Sequence, residues 1–244
     1  METRNKCKIC GSDIILGEDS QGIPPQILSS IQICSEECKK VSRQQEVEKE
    51  QDKRFKMLSS KFPKIYKTAS MADFDDTSKD YFVGSNGANR TCREAVKSWI
   101  LSDYWCFFMK GSVGVGKTRL AFVTLAELAR VGYTDQTENT DFGYIKANQL
   151  GMSLEAERFD DIRKRHRGFI NADALFIDDL GTENKTHSDW ITNLMDEREQ
   201  EAKKTIITTN LENKDIAIRY GARFLSRIEK GIIEKKGINR RYEK

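Results

Sequence analysis

An α/β fold, with a parallel sheet between two layers of helices, is predicted by three features of the sequence. Residues Gly111 to Thr118 read GSVGVGKT and lie between an apolar run of strand type and an apolar run of helix type. Beyond them, short apolar runs alternate with longer helical ones, the pattern of repeated strand–helix units. Two of the short runs end in polar groups, LFIDDLG in Asp178 and Asp179 and TIITTN in Asn210. Ligands of such sheets sit at the carboxyl ends of the strands.

The glycine-rich stretch matches G-x-x-x-x-G-K-[ST] in full. Glycines let successive backbone N–H groups turn inward around phosphate oxygens, where a side chain would block the approach. Residues Gly111, Ser112, Val113, Gly114, Val115 and Gly116 would form that cradle. The Lys117 ammonium would reach the β- and γ-phosphates and the Thr118 hydroxyl would hold Mg²⁺, while the next helix aims its positive end at the nucleotide. Context agrees: Tyr104 to Met109 is an apolar strand-like run, and Leu120 to Leu128 a helix buried on much of its surface. The motif therefore predicts binding of a nucleoside triphosphate.

Composition bounds the rest. The 244 residues suffice for one α/β domain and a small appendage. A net charge of +3 does not diagnose a nucleic-acid partner, but the charge is uneven. Lys39 to Lys67 holds ten Lys/Arg against four Asp/Glu, and Arg219 to Lys244 nine against three. No apolar run approaches the ~18 residues of a membrane span. The opening METRNKCKICGSD lacks the apolar centre of a signal peptide, so a reducing cytoplasm is the expected location, with no membrane partner.

Residues 1–40 read as a small metal module. Cys7 and Cys10, then Cys34 and Cys38, are two close pairs across a longer loop, the ligand spacing of a tetrahedral Cys₄ zinc site. Gly17, Gly22 and Pro24-Pro25 between them cannot build an apolar core, so a staple is needed. Four thiolates leave no open position for catalysis; unligated thiols or a redox pair are the alternatives. Residues 41–61 continue a polar stretch without glycine or proline, read as a charged helical linker or an interaction arm, and Pro63 ends it. The third unit spans residues 62–244. Its short apolar groups FPKIY and MADF lead into a loop near Gly84 and a helix from Arg90 to Leu101 with Val96, Trp99 and Ile100 inward.

Past the phosphate loop, a strand is expected at Phe142–Ala147 and a helical region from Asn148 to about Ile170. The latter carries Arg163, Lys164, Arg165, His166 and Arg167, either a solvated face or a contact for phosphates. A strand from Leu175 to Gly181 follows, then a helix from about Thr186 to Ala202 and a strand from Thr205 to Asn210. Asp178 suits Mg²⁺, directly or through water, and Asp179 suits orientation and deprotonation of an attacking water. Asn210 can bond the γ-phosphate or the same water. Arg223 and Arg227, one helical turn apart in GARFLSRIEKG, either face a neighbouring subunit's nucleotide or are surface arginines.

GSVGVGKT, LFIDDLG, TIITTN and GARFLSRIEKG, in that order and spacing, resemble the AAA+ ATPase domain of DnaC-like bacterial and phage helicase loaders. FPKIYKTASMADF also resembles the lead-in of that family and of the related IstB transposition helpers. The resemblance covers roughly Phe62 to Lys244. It implies a P-loop NTPase fold of the AAA+ type, a three-layer parallel sheet without a full helical lid, since 17 residues follow Arg227. It implies an ATPase that self-assembles with ATP, binds a replicative DnaB-type hexameric helicase and places it on single-stranded DNA. Lys117 and Thr118 match its Walker A, Asp178 and Asp179 its Walker B, and Asn210 its sensor 1; Arg227 matches the arginine finger and Arg223 a second box VII arginine. Asn239-Arg240-Arg241 falls where the family often has sensor 2. Two departures stand out: Asp179 replaces the usual Glu, and the last strand would have to come from the short, charge-flanked Ile232-Ile233. An IstB-like helper, or an adaptor gated by nucleotide with little hydrolysis, are the competing functions.

Overall fold

The apolar runs of the sequence become the strands of one sheet. A computed structural model describes residues 7–12, 35–74, 80–83, 88–131, 142–149 and 159–239. The chain divides into two compact units, Met1–Arg54 and Phe55–Lys244. Among the described residues the strands are β1 (Asp80–Val83), β2 (Asn89–Thr91), β3 (Cys106–Lys110), β4 (Phe142–Lys146), β5 (Ala174–Leu180), β6 (Lys204–Thr209) and β7 (Ile232–Gly237). The helices are α1 (Glu36–Ser60), α2 (Cys92–Ile100), α3 (Lys117–Arg130), α4 (Phe159–Asn171), α5 (Ser188–Gln200), α6 (Asn213–Tyr220) and α7 (Ala222–Ile228).

The sheet order is β2-β1-β7-β3-β6-β5-β4. Strands β7, β3, β6, β5 and β4 pair in parallel, while β1 and β2 extend one edge antiparallel. Side chains alternate between faces along each strand. Phe107 and Met109 of β3 join Phe176, Ile206 and helices α2 and α3 in one core, while Cys106 and Phe108 join Ile177, Ile207 and helices α5, α6 and α7 in the other. The outcome is three layers, helix–sheet–helix, of mixed α/β type. Helix α3 is buried on most sides because the lead-in lies over it. Phe62 and Tyr66 each set a ring 4.7 Å from Phe122.

Elements fall where the pattern placed them, with differences at the ends. The helix expected over Arg90–Leu101 starts at Cys92, because Thr91 accepts from the Glu94 N–H and Glu94 accepts from the Thr91 N–H. This reciprocal cap satisfies two donors the helix cannot. Of the helical region expected from Asn148, residues 147–149 are helical and α4 runs from Phe159, while residues 150–158 lie outside the described residues. The last strand departs most from the sequence pattern. Instead of stopping after Ile233, β7 continues through Glu234, Lys235 and Lys236, pairing with both β1 and β3. Burial of Lys235 makes this possible: its ammonium, 0% exposed, is paired with Asp80, 1% exposed, near the rings of Phe74 and Phe82. Removing one member of such a pair typically costs about 3–5 kcal/mol, through the charge left buried.

No helix among the described residues is long and apolar enough to cross a membrane.

Candidate functional site

Two glycines shape the loop between β3 and α3. Gly116, the residue before α3, has φ 86°, a left-handed value that a side chain rarely adopts. At Gly111 the constraint is space, since an added Cβ would lie 2.4 Å from the carbonyl oxygen of Lys235. Lys117 opens α3 and is 6% exposed. Its ammonium donates to Gly111 O (2.7 Å), Ser112 O (2.8 Å) and Asn210 Oδ1 (2.8 Å). Asn210 can reach it because β6 lies between β3 and β5. The loop, the lysine and the polar end of β6 therefore meet at one place.

The next turn of α3 meets β5. Thr118 Oγ1 donates to Asp178 Oδ1 at 2.9 Å, and Thr208 Oγ1 donates to the same oxygen at 2.7 Å. Tyr144 sends its hydroxyl to Oδ2 at 3.5 Å. Burial raises the Asp178 carboxyl above the ordinary Asp range, while hydrogen bonds from Thr208 and Thr118 oppose the shift. A hydroxyl and a carboxylate this close are hard oxygen donors of the kind Mg²⁺ selects, so Thr118 and Asp178 fit that ion.

Adjacent residues of a regular strand point to opposite faces, so Asp178 and Asp179 could not both serve one cleft. A bulge removes the conflict. Ile177 pairs with Ile207 and Leu180 with Thr209, so Asp178 and Asp179 together oppose Thr208 alone. Asp179 has φ 55°, a left-handed value uncommon for a residue with a side chain. Its N–H donates to Thr208 Oγ1 at 3.0 Å, and its carbonyl accepts from Thr182 Oγ1 at 2.7 Å. Thr208 thus fastens both carboxylate residues, one through its side chain and the other through its backbone. Bulges of this kind re-aim side chains near sites. Asp179 joins Lys117, Thr118, Gly114, Gly116, Val113, Asn210, Tyr66 and Arg119 around a cavity of 460 Å³, within the range of about 300–1,000 Å³ for small-molecule sites. Arg119 also clamps the lead-in by donating to Asp73 Oδ2 at 3.0 and 2.8 Å.

The other sequence candidates lie elsewhere. Arg223 is exposed on α7. Arg227, one turn on, is ion-paired with Asp196 and Glu199 of α5. On α4, Arg163, Lys164 and Arg167 line a 220 Å³ cleft together with Asp160, while Arg165 is only partly exposed. His166 sets its ring 4.7 Å from that of Trp190, and burial pushes its pKa below the ordinary His value. Asn239 lies against the phosphate loop, where a Cβ added to Gly114 would meet its side chain. Arg240 and Arg241 lie outside the described residues.

Within Met1–Arg54, the sulfurs of Cys7, Cys10 and Cys38 lie within 4.8 Å of one another. Bonds of ~2.3 Å from a tetrahedral zinc set sulfurs about 3.8 Å apart, so the group fits a metal site. Gly11, at φ 73°, turns the chain so that its N–H returns to Cys7 O and the Ile9 N–H points to Cys7 Sγ. Cys34 lies outside the described residues.

Four residues of the site were not singled out in the sequence: Tyr66 and Arg119 in the cavity lining, and Thr208 and Tyr144, which bond Asp178. For Thr208 a signal existed. TIITT places hydroxyls in a strand otherwise built of isoleucines, and buried hydroxyls need partners. Tyr66 lay within the FPKIY group of the lead-in, and nothing local singled out Tyr144.

The three-layer sheet and the cavity at its strand ends define a nucleotide-binding ATPase domain of the AAA+ class. The chain belongs to the family described as the bacterial DnaA ATPase domain, which matches residues 76–235. Among solved structures, DnaI is similar over 75% of this chain and 98% of its own, at 20% identity and TM-score 0.54. The DnaC helicase loader aligns over 71% of this chain and 100% of its own, at 21% identity and TM-score 0.53. A DNA replication initiation factor aligns at 20% identity and TM-score 0.48 over 59% of this chain, which spans only 44% of that protein's length. No curated protein sequence matches the chain.

Proposed function

We propose that the chain is an ATP-hydrolysing loader that places a replicative hexameric helicase of the DnaB type on single-stranded DNA. The observation that carries the hydrolytic part is the bulge that brings Asp179 to the cavity of Lys117, Thr118 and Asn210. Lys117 binds the β- and γ-phosphates, and Asn210 holds the lysine and the γ-phosphate in register. Mg²⁺ on Thr118 and Asp178 would neutralise charge developing on the phosphoryl oxygens. Asp179 orients a water in line with the γ-phosphate and takes its proton. Arg227, with Arg223 beside it, acts on the nucleotide of a neighbouring copy in an ATP-dependent assembly.

The loader part is supported by the FPKIYKTASMADF and GARFLSRIEKG strings and by a fold shared over nearly the whole length of DnaI and the DnaC loader. In this reading residues 62–244 are the ATPase, residues 41–61 a linker, and residues 1–40 a zinc module that docks the helicase. The test is copurification of untagged replicative helicase with this protein, followed by ATP-dependent transfer of the helicase to circular single-stranded DNA. Failure to retain the helicase would overturn the loader reading and leave an IstB-like helper or a nucleotide-gated adaptor.

The metal module yields one expected result. Zinc held by Cys7, Cys10, Cys34 and Cys38 can contribute an apparent ~10–16 kcal/mol to so small a unit. Native mass spectrometry should find one zinc per chain, lost on Cys34→Ser. Metal-free protein whose residues 1–40 still resist protease would contradict it.

The DNA interface yields another. Arg163, Lys164 and Arg167 share one exposed face at helical spacing, and Arg165 flanks it. If they contact backbone phosphates, single-strand affinity should fall steeply with salt, by a slope of about 0.7 per phosphate neutralised. Reversing Arg163, Lys164 and Arg167 to Glu should weaken binding and flatten that slope by about 2. Unchanged affinity and slope would make the cluster a solvated face.

A further inference from the structure

The carboxylate-bearing loop is tied to α6 by a buried group that the nucleotide chemistry does not use. Glu183 lies four residues beyond Asp179, and its side chain is 0% exposed. Its Oε2 accepts from the Gly181 N–H at 2.8 Å, two residues past Asp179. Its Oε1 accepts from Arg219 Nε at 2.9 Å and from the Tyr220 hydroxyl, and its carbonyl accepts from Arg219 Nη2. Arg219 and Tyr220 are the last two residues of α6, and Gly221 leads directly into α7 with Arg223 and Arg227. Leu211 packs against Gly181 so closely that an added Cβ would lie 2.6 Å from its Cδ1.

We propose that Glu183 is a positioning residue for hydrolysis, holding Asp179 in its left-handed conformation and coupling it to the helix pair that bears Arg223 and Arg227. The proposal rests on Asp179 acting on the attacking water, as inferred above. A residue at φ 55° persists only when its surroundings over-determine it. Thr208 and Thr182 supply two restraints from within the sheet and loop. Glu183 supplies the third, and it alone among these three joins the loop to α6. A shift of α6 and α7 on contact with a neighbouring copy would be carried to Asp179 through this carboxylate. A buried acid satisfied on both oxygens by one backbone N–H, one guanidinium and one hydroxyl is a rigid joint, whereas a loop tip held by water would absorb the same shift.

The experiment compares full-length wild type with Glu183→Gln, Glu183→Ala and Tyr220→Phe, reading steady-state ATPase, equilibrium affinity for a fluorescent ATP analogue and thermal midpoint. A misplaced catalytic group can cost about a hundredfold in rate, so kcat should fall by about ten- to a hundredfold in Glu183→Ala. Glu183→Gln, whose amide oxygen can still accept from Gly181, should recover part of that loss. KM and analogue affinity should stay within about twofold, because Lys117 and Thr118 are untouched. Amide exchange at residues 179–183 should speed up without change in the rest of the sheet. If Glu183→Ala fails to fold, Glu183→Gln and Tyr220→Phe still give the kcat-against-affinity comparison. Equal kcat in wild type and variants overturns the proposal, as does a parallel fall of affinity and thermal midpoint. Wild type that binds the analogue but never turns over ATP would instead remove the hydrolytic reading, and this proposal with it.

Discussion

Lys117→Ala is expected to abolish nucleotide binding, lowering affinity for a fluorescent ATP analogue by at least about a hundredfold. The ammonium sits at the mouth of α3 and donates to Asn210 Oδ1 and to two carbonyls of the loop itself. Hydrogen bonds to charged groups contribute about 1.5–3 kcal/mol each, and a lysine between two phosphates makes at least two. The substitution also removes the ammonium that Gly111 O, Ser112 O and Asn210 Oδ1 share, so some thermal destabilisation is expected as well. Lys117→Met, which keeps the aliphatic stem, separates the two effects: it should preserve more of the thermal midpoint but still bind no nucleotide. Normal analogue affinity in either variant would mean that the cavity of Lys117, Asp179 and Asn210 is not the nucleotide site.

Arg227→Ala is expected to retain nucleotide binding and lose turnover. An arginine placed against a neighbour's γ-phosphate is worth 10³–10⁵ in rate in related chemistry, through charge stabilisation in the transition state. Asp179 reaches less far than a glutamate would, so the lower end of that range is expected here. The structure adds a condition, because Arg227 is engaged by Asp196 and Glu199 within its own chain. The arginine must exchange those carboxylates for phosphate oxygens when copies assemble, and activity should therefore rise with protein concentration more steeply than binding does. Mixing Arg227→Ala with Asp179→Asn protein supplies the decisive measurement. Each mixed interface can pair an intact arginine with an intact base, so mixtures should exceed both parents in ATPase rate. Titration of the ratio, with and without helicase and single-stranded DNA, locates the optimum. If mixtures that do assemble never exceed the parents, Arg227 does not act across subunits, and Arg223 becomes the candidate.

Much of this was legible because it is local. A glycine pattern, an apolar strand before it and an apolar helix after it are decided within about 25 residues, and the fold puts them where the pattern did. The order of strand-ending polar groups was equally local, and Asp178 and Asn210 meet Thr118 and Lys117 as that order implies. Cys7 and Cys10, near neighbours in the chain, come together for the same reason, and Cys38 joins them from 28 residues further along. The continuation of the last strand beyond Ile233 was not legible, since Glu234-Lys235-Lys236 reads as surface. Only a partner 155 residues away, Asp80, makes a buried lysine there tolerable.

By itself, then, the sequence determined a phosphate loop, a parallel α/β sheet and the chemical groups at its strand ends. It could not determine how two neighbouring carboxylates come to one site, Asp178 bonded by Thr118 and Asp179 in the cavity lining. Period-two alternation sends Asp178 and Asp179 to opposite faces, and nothing in LFIDDLG says otherwise. That was decided by tertiary structure: β6 slips one residue against β5, the hydroxyl of Thr208 fills the gap, and Glu183 fastens the loop to α6. The physical reason is that a bulge costs backbone strain and unpaired ladder groups, and only contacts from elements distant in the chain can offset that cost.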